Sequence, residues 1–318
     1  MINAFLARIS CFFITQRRKD TKGMKMQVER EILNTPRPPC LCVSVRDKFG
    51  SPDMSTILDE IAGKTRLRVE AAKRVVPLEA LREQALALAA RHRGGELPFE
   101  RALGRPGLSF ICEVKKASPS KGIIAEDFPW LQIAKEYEAA GAAAISVLTE
   151  PDYFLGSDQY LKEIAAAVSI PALRKDFTID PYQIYEAKIL GAEAVLFICA
   201  LLPKETLVSF IGIAKELELS ALVEAHDGAE VGQALEAGAG IIGINNRNLK
   251  TFKVDIDASA RLRDNIPAGI LCVAESGIKS PQDVRILNEM GFDAVLIGES
   301  LMRSPDKKQF LDTLKENL

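Results

Sequence analysis

The chain has 318 residues, 47% hydrophobic and 26% charged, enough for one large soluble domain or two small ones. Its net charge of −2 gives no reason to expect nucleic acid or an anionic membrane as partner, and no apolar run approaches the roughly 20 residues of a membrane-spanning helix. Six cysteines without a CxxC pair, and only two histidines, argue against a metal site or a disulfide framework.

Three of the cysteines, Cys112, Cys199 and Cys272, sit inside apolar runs and read as buried reduced thiols, which suits the cytoplasm. Residues 1–53 stand apart from the rest of the chain. They carry ten Lys/Arg against five Asp/Glu, include "NTPRPPC", and keep no helical or strand period beyond a few residues. The stretch "AFLARISCFFI" precedes the basic cluster "RRK", the reverse of a secretory signal. A disordered or extraneous tail is expected here, with organellar targeting as the alternative. One folded domain is expected over residues 54–318.

From Ser55 to about His92 the pattern is helical. "STILDEIAGKTRLRVEAAK" begins with a Ser cap and sets Ile57, Leu58 and Ile61 on one face. "PLEALREQALALAARH" comes next, with Pro77 at a helix start.

After Leu108 four segments resemble one another: "AAGAAAISVL", "ILGAEAVLFI", "EAGAGIIGIN" and "EMGFDAVLIG". Each is a helix end, a glycine (Gly141, Gly191, Gly238, Gly291), small residues and an apolar strand. Between them lie "PALRKDF", "ALVEAHD" and "ILCVAES", with "LSFICEVKK" in front. Eight apolar strands alternating with amphipathic helices predict a parallel (β/α)8 barrel, the TIM barrel, whose usual size is about 250 residues. A doubly wound open sheet is the alternative, but the first strand is followed by "KKASPSKG" rather than a GxGxxG turn.

Active sites of such barrels form where strands end. Those ends offer Glu113 and Lys115, Lys175 and Asp176, Glu224, Asn245 with Asn246 and Arg247, Glu275 with Ser276 and Gly277, and Gly298 with Glu299 and Ser300. Singly, each has a plain structural explanation. A strand-end Lys or Glu is commonly a solvated cap, Asp176 and Asp227 suit helix caps, and Glu299 with Ser300 could merely start a helix. Six ends converging on one mouth point to a site. "ESGIKSPQD" and "IGESLM" put Gly and Ser where backbone N–H groups can face a phosphate. Lys175 as proton donor and a glutamate as proton acceptor suit acid–base work on a sugar phosphate.

"FICEVKKASPSKG", "LRKDF", "LVEAHD", "GINNRNLKTF", "AESGI" and "IGESLMR", in this order, resemble the indole-3-glycerol-phosphate synthase family of tryptophan biosynthesis. The resemblance covers residues 54–318, and residues 54–107 resemble the family's helical extension, which helps cover the pocket. It implies Lys175 as general acid, Glu224 in the dehydration, and Glu113 close to Lys175 to tune and orient it. It implies Lys115 neutralising substrate anions, Asn245 bonding a reacting group and Arg247 clamping a carboxylate. Ser276 would sit between the phosphate and reaction zones, with Phe177 and Leu249 walling an aromatic ring. Ser118, Gly277, Gly298 and the backbone N–H of Glu299 would surround the phosphate. The partner expected is a phosphorylated small molecule, with no cofactor and no metal. The chain is expected to act as a monomer, at most in weak association with other enzymes of the pathway. A Schiff-base aldolase on the same barrel and a non-catalytic barrel that binds a pathway partner are the alternatives.

Overall fold

The computed structural model describes residues 56–91, 95, 97–247, 256–316 and 318. The expectations for residues 1–53, and the Ser cap at Ser55, lie outside them. Helix α1 (Ile57–Val75) is capped by Thr56, whose hydroxyl accepts the Asp59 N–H while Asp59 accepts the N–H of Thr56. Its buried Ile61, Thr65 and Val69 recur every four residues, as one helical face requires. Pro77 caps α2 (Leu78–Ala89), and α3 (Pro98–Leu103) comes after it.

Strand β1 (Ser109–Val114) leads into a small hairpin of β2 (Ala117–Ser118) and β3 (Gly122–Ile123). The remaining strands are β4 (Ala144–Leu148), β5 (Ala172–Lys175), β6 (Ala194–Ile198), β7 (Ser220–Ala225), β8 (Ile241–Asn245), β9 (Leu271–Glu275) and β10 (Ala294–Ile297). With β1 they form a closed barrel in which every pairing is parallel. The helices between them are α4 (Trp130–Ala139), α5 (Asp158–Ala167), α6 (Pro181–Leu190), α7 (Lys204–Glu216), α8 (Gly228–Glu236), α9 (Ile256–Arg263) and α10 (Pro281–Glu289). Two short helices close the chain, α11 (Glu299–Arg303) and α12 (Lys307–Leu314). The eightfold (β/α) barrel is therefore present, and the open sheet is not.

Side chains alternate across each strand, which separates two cores. One lies between strands and helices and includes Phe110, Cys112, Val223 and Cys272. The other fills the barrel with Ile111, Leu173, Leu222, Val273 and Leu296, and Phe99 and Leu103 of α3 belong to it. Gly141, Gly191, Gly238 and Gly291 end their helices at φ of 80°, 89°, 83° and 76°, the left-handed turn that glycine makes without strain.

Candidate active site

Two residues beyond the apolar interior positions Ile111, Leu173, Leu222 and Val273 come Glu113, Lys175, Glu224 and Glu275. The two-residue period places these four on the interior face as well. They belong to alternate strands β1, β5, β7 and β9, with β4, β6, β8 and β10 between. Barrels of this kind stack their inward side chains in layers of four from alternate strands. Here the layer at the strand ends is ionic.

Lys175 is its centre. Its Nζ donates to Glu224 Oε2 at 3.0 Å and to Glu275 Oε2 at 2.6 Å. Burial opposes its charge, but Glu275, Glu224 and Glu113 outweigh burial and hold its pKa above the ordinary lysine value. Lys175 is thus an ammonium group at neutral pH.

Glu224 Oε1 accepts from Asn245 Nδ2 at 3.0 Å, and His226 Nε2 lies 3.3 Å from the same oxygen. Burial disfavours its charge, yet Lys175, His226 and Asn245 together keep it below the usual carboxylate range. Glu275 is placed differently. Its Oε1 is buried without a hydrogen-bond partner. Burial pushes its pKa up to about 7 against the pull of Lys175, with help from the charge on Glu224.

Glu113 bonds Lys115, the next residue on the same face. The charge of Glu113 reaches Lys175 and helps to raise its pKa, while the hydrogen bonds to Lys175 come from Glu224 and Glu275. Glycines make the room. A Cβ on Gly243 would overlap Glu275 Oε1, and one on Gly298 would overlap Glu113 Oε1.

The layer opens into a cavity of about 670 Å³. Its lining includes Lys115, Asn245 and Arg247, and on another side Ser118, Ser276, Gly277, Gly298 and Glu299. Ser276 and Gly277 have φ of 68° and 88°, a turn that Ser adopts only under strain. Gly298 precedes the first turn of α11, and the Glu299 carboxylate pairs with Arg303 at 3.3 Å and Lys121 at 3.5 Å. Phe177 lines the cavity too, its ring 5.9 Å from that of Phe154. Every residue expected in the site is on this cavity except Leu249, which lies outside the described residues, and Asn246, which is buried and donates its amide N–H to the Ser276 carbonyl at 2.9 Å.

Several lining residues had no expected role. Glu275 stands at a strand end, but no local signal sets it apart from Glu113. Phe154 comes after the second barrel strand in "LTEPDYF", where an aromatic just past a strand end is the available signal. The buried Glu150 fixes that loop by accepting N–H bonds from Asp152, Tyr153 and Phe154 at 2.9, 2.7 and 3.0 Å. Ile57, Leu58 and Ile61 of α1 also line the cavity. Of the two aspartates expected as caps, Asp227 caps α8 through the Glu230 N–H at 2.9 Å. Asp176 caps no helix; it bonds Arg68 and Thr149.

Among the described residues no group of three or more His, Cys, Asp or Glu side chains could hold a metal ion, and no helix is long and apolar enough to cross a membrane.

A closed eight-stranded barrel carrying an ionic layer under an open cavity defines a (β/α)8 barrel of the acid–base enzyme class. Comparison with known proteins narrows that class. Residues 58–314 match the family described as indole-3-glycerol phosphate synthase, and the chain belongs to that family. It is 58% identical over 250 residues to the indole-3-glycerol phosphate synthase of Ruminiclostridium cellulolyticum, covering 79% of this chain and 95% of that protein. It is 49% identical over 270 residues to the one of Lachnoclostridium phytofermentans, covering 82% of this chain and 100% of that protein. The solved 3-hexulose-6-phosphate synthase from Salmonella typhimurium aligns with a TM-score of 0.55 and 17% identity over 66% of this chain and 97% of its own, a likeness of fold alone.

Proposed function

We propose that the protein closes the indole ring of 1-(2-carboxyphenylamino)-1-deoxyribulose 5-phosphate, releasing CO2 and water, as a carbon–carbon lyase without a cofactor. The observation that carries this reading is Lys175, held as an ammonium between two glutamates that are themselves in different states. A positioned ammonium can donate its proton to the ribulose carbonyl oxygen while the ring carbon bearing the carboxylate attacks the carbonyl carbon. The carboxylate then leaves as CO2, and its bonding electrons restore the aromatic ring. The new hydroxyl leaves as water with a proton from the site, and a carboxylate takes a proton from the neighbouring carbon.

The other groups suit binding. Arg247 lines the cavity and would pair with the substrate carboxylate in the planar way a guanidinium allows. Lys115 adds positive charge nearby. Ser118, Gly277, Gly298 and the Glu299 N–H would receive the phosphate, with Ser276 between that zone and the reacting atoms. Phe177, Phe154 and Leu249 would wall the aromatic ring, and the helices of residues 54–107 would cover the pocket. The same reading implies a cytoplasmic enzyme, monomeric or weakly associated with others of its pathway.

A Schiff-base aldolase would need a neutral strand-end amine as nucleophile. The raised pKa of Lys175 disfavours that. A purely binding barrel would have no use for a buried acid–base layer, whose burial is costly.

The test is turnover of the carboxyphenylamino substrate, followed by indole fluorescence. The expected result is product formation that drops about 10²–10⁴-fold in Lys175→Ala. Absence of product at saturating substrate, or a borohydride-trapped adduct on Lys175, would overturn the reading.

A further inference from the structure

His226 lies two residues past Glu224, and none of the steps above uses it. Its ring lies between two carboxylates. Nδ1 lies 3.0 Å from Glu230 Oε2, and the same oxygen accepts the His226 backbone N–H at 2.8 Å. Nε2 is buried and makes no hydrogen bond, but it lies within ion-pair reach of Glu224 Oε1 at 3.3 Å. Glu230 is fixed in turn, because Asp227 accepts its N–H at the start of α8. A neutral imidazole carries one N–H, so it would aim a lone pair at one of these carboxylates. An imidazolium donates to Glu230 and turns a positive charge toward Glu224.

The consequence falls on the two carboxylates that share Lys175. Glu224 is faced by Lys175, Asn245 and His226, whereas Glu275 Oε2 takes Lys175 and its Oε1 is a buried orphan. Two acids crowded on one cation in a buried space hold a proton unequally, and the one with fewer donors keeps it.

We propose that His226, clamped by Glu230, is a positioning residue that holds Glu224 ionised and so leaves the proton of the buried pair on Glu275. Glu224 is then the base of the reaction, and Glu275 is the acid that resupplies Lys175 or assists the departing hydroxyl. These kinetic roles rest on the ring-closure reading; the placement of the proton does not.

The surroundings agree. Burial opposes charge on His226, but its bonds to Glu224 and Glu230 outweigh it and raise its pKa to about 10. The groups facing this cluster are Glu113 and Lys115 from the end of β1, Lys175 from β5, Cys199 after β6, Asp227 at the cap of α8 and Glu230 within it, Asn245 and Arg247 at the end of β8, and Glu275 at the end of β9. Cys199 is a neutral thiol, pushed up to about 12 by burial and by Glu230, Glu224 and Asp227.

The experiment compares the full chain with His226→Gln and Glu230→Gln, the second being partly exposed and the milder change. Carboxyl NMR of the substrate-free protein is read across pH 5–9, with Glu275→Gln to assign the signal. The kcat and KM profiles over the same range accompany it. The expected result is one side-chain carboxyl titrating near neutrality, lost in Glu275→Gln and moved toward Glu224 in His226→Gln. The acidic limb of kcat should move up by about one pH unit in His226→Gln and less in Glu230→Gln, while KM changes less than about threefold. A neutral titration that survives Glu275→Gln, or a carboxyl spectrum and acidic limb unmoved in both variants, would overturn the proposal. A kcat loss equal at every pH would also overturn it, as a merely structural effect. If the wild-type chain fails to form indole product, the ring-closure reading falls, and the substrate-free spectrum still decides the role of His226.

Discussion

Arg68 Nη2 donates to both carboxylate oxygens of Asp176, at 2.8 and 2.9 Å, and so ties α1 to the segment directly after Lys175. Asp176 also accepts from Thr149 Oγ1 at 2.9 Å and from the Phe177 N–H at 2.8 Å. Burial penalises its charge, but Arg174 and Arg68 outweigh burial and keep its pKa below the usual carboxylate value. One side chain therefore ties together the end of β5 beside Lys175, the cavity-lining Phe177 and helix α1.

Loss of Arg68 leaves Asp176 buried with Arg174 as its remaining cation at 3.4 Å. Arg68→Ala is expected to cost about 1.5–3 kcal/mol of stability, the range for hydrogen bonds to charged groups. KM should rise more than kcat falls, because Ile57 and Leu58 of the same helix line the cavity. Thermal unfolding and steady-state kinetics check this. An unchanged melting temperature and KM would mean that the packing of Ile61 and Val69 alone seats α1.

Much of this architecture is legible in the sequence because its signals are local. A helix that ends in a left-handed turn wants glycine, so Gly141, Gly191, Gly238 and Gly291 mark four helix–strand junctions. The two-residue period of a strand carries the apolar interior face of β1, β5 and β7 on to Glu113, Lys175 and Glu224. Partner choice is not legible in the same way. Glu113, Glu224 and Glu275 are equivalent in sequence, each an acid at the end of an apolar strand. Which of them holds Lys175 depends on barrel order, and β9 stands four strands from β5, directly opposite. Lys175 reaches across the barrel to Glu275, while Glu113 is taken by Lys115. The Arg68–Asp176 pair spans 108 positions, and nothing at either end announces it.

Gly243 is expected to be required for activity rather than for folding. It sits on β8 where a Cβ would overlap Glu275 Oε1 and press on Leu222 Cδ1 at 3.2 Å. Gly243→Ala should turn the Glu275 carboxyl away from Lys175 and lower kcat by about tenfold or more. Gly240→Ala is the control, since nothing lies within 4 Å of its Cβ position. A Gly243→Ala enzyme with normal kcat would show that the Glu275 carboxyl can shift without consequence.

Glu275 also gives the fold a pH dependence with a definite sign. Its pKa is about 7 in the folded chain against an ordinary value of 4.5, so between those pH values the folded state binds more protons than the unfolded state. Its contribution is therefore fully present below about pH 4.5 and is lost as pH rises toward 7. Glu224 and Asp176 are shifted the other way, and their contributions change below that window. Denaturant titrations of wild type and Glu275→Gln at pH 5, 6 and 7 should diverge. The wild type should lose stability relative to the variant as pH rises. A constant difference would mean that Glu275 is ionised throughout.

The start of the chain is expected to be dispensable up to Met54 and indispensable beyond it. The match to the Lachnoclostridium phytofermentans relative takes in all of that protein with 82% of this chain. The family match begins at residue 58. Residues 1–53 carry a basic excess and keep no helical or strand period beyond a few residues. Deleting them, so that the chain starts at Met54, is expected to leave melting temperature and turnover near those of the full chain. Deletion through Lys73 is a different operation. It removes the buried Ile61, Thr65 and Val69, the Arg68 clasp on Asp176, and the Lys73 bond to Asp180 at 2.7 Å. It also uncovers one side of the cavity by taking Ile57 and Leu58. Burying one aliphatic side chain is worth about 1.5–3 kcal/mol, so losing several together with the half-buried Arg68–Asp176 pair should lower the melting temperature strongly and abolish turnover. Comparing the two truncations with the full chain separates the cases. If removing residues 1–53 alone lowers stability, that segment is a structural part of the fold, and its composition conceals a docking surface.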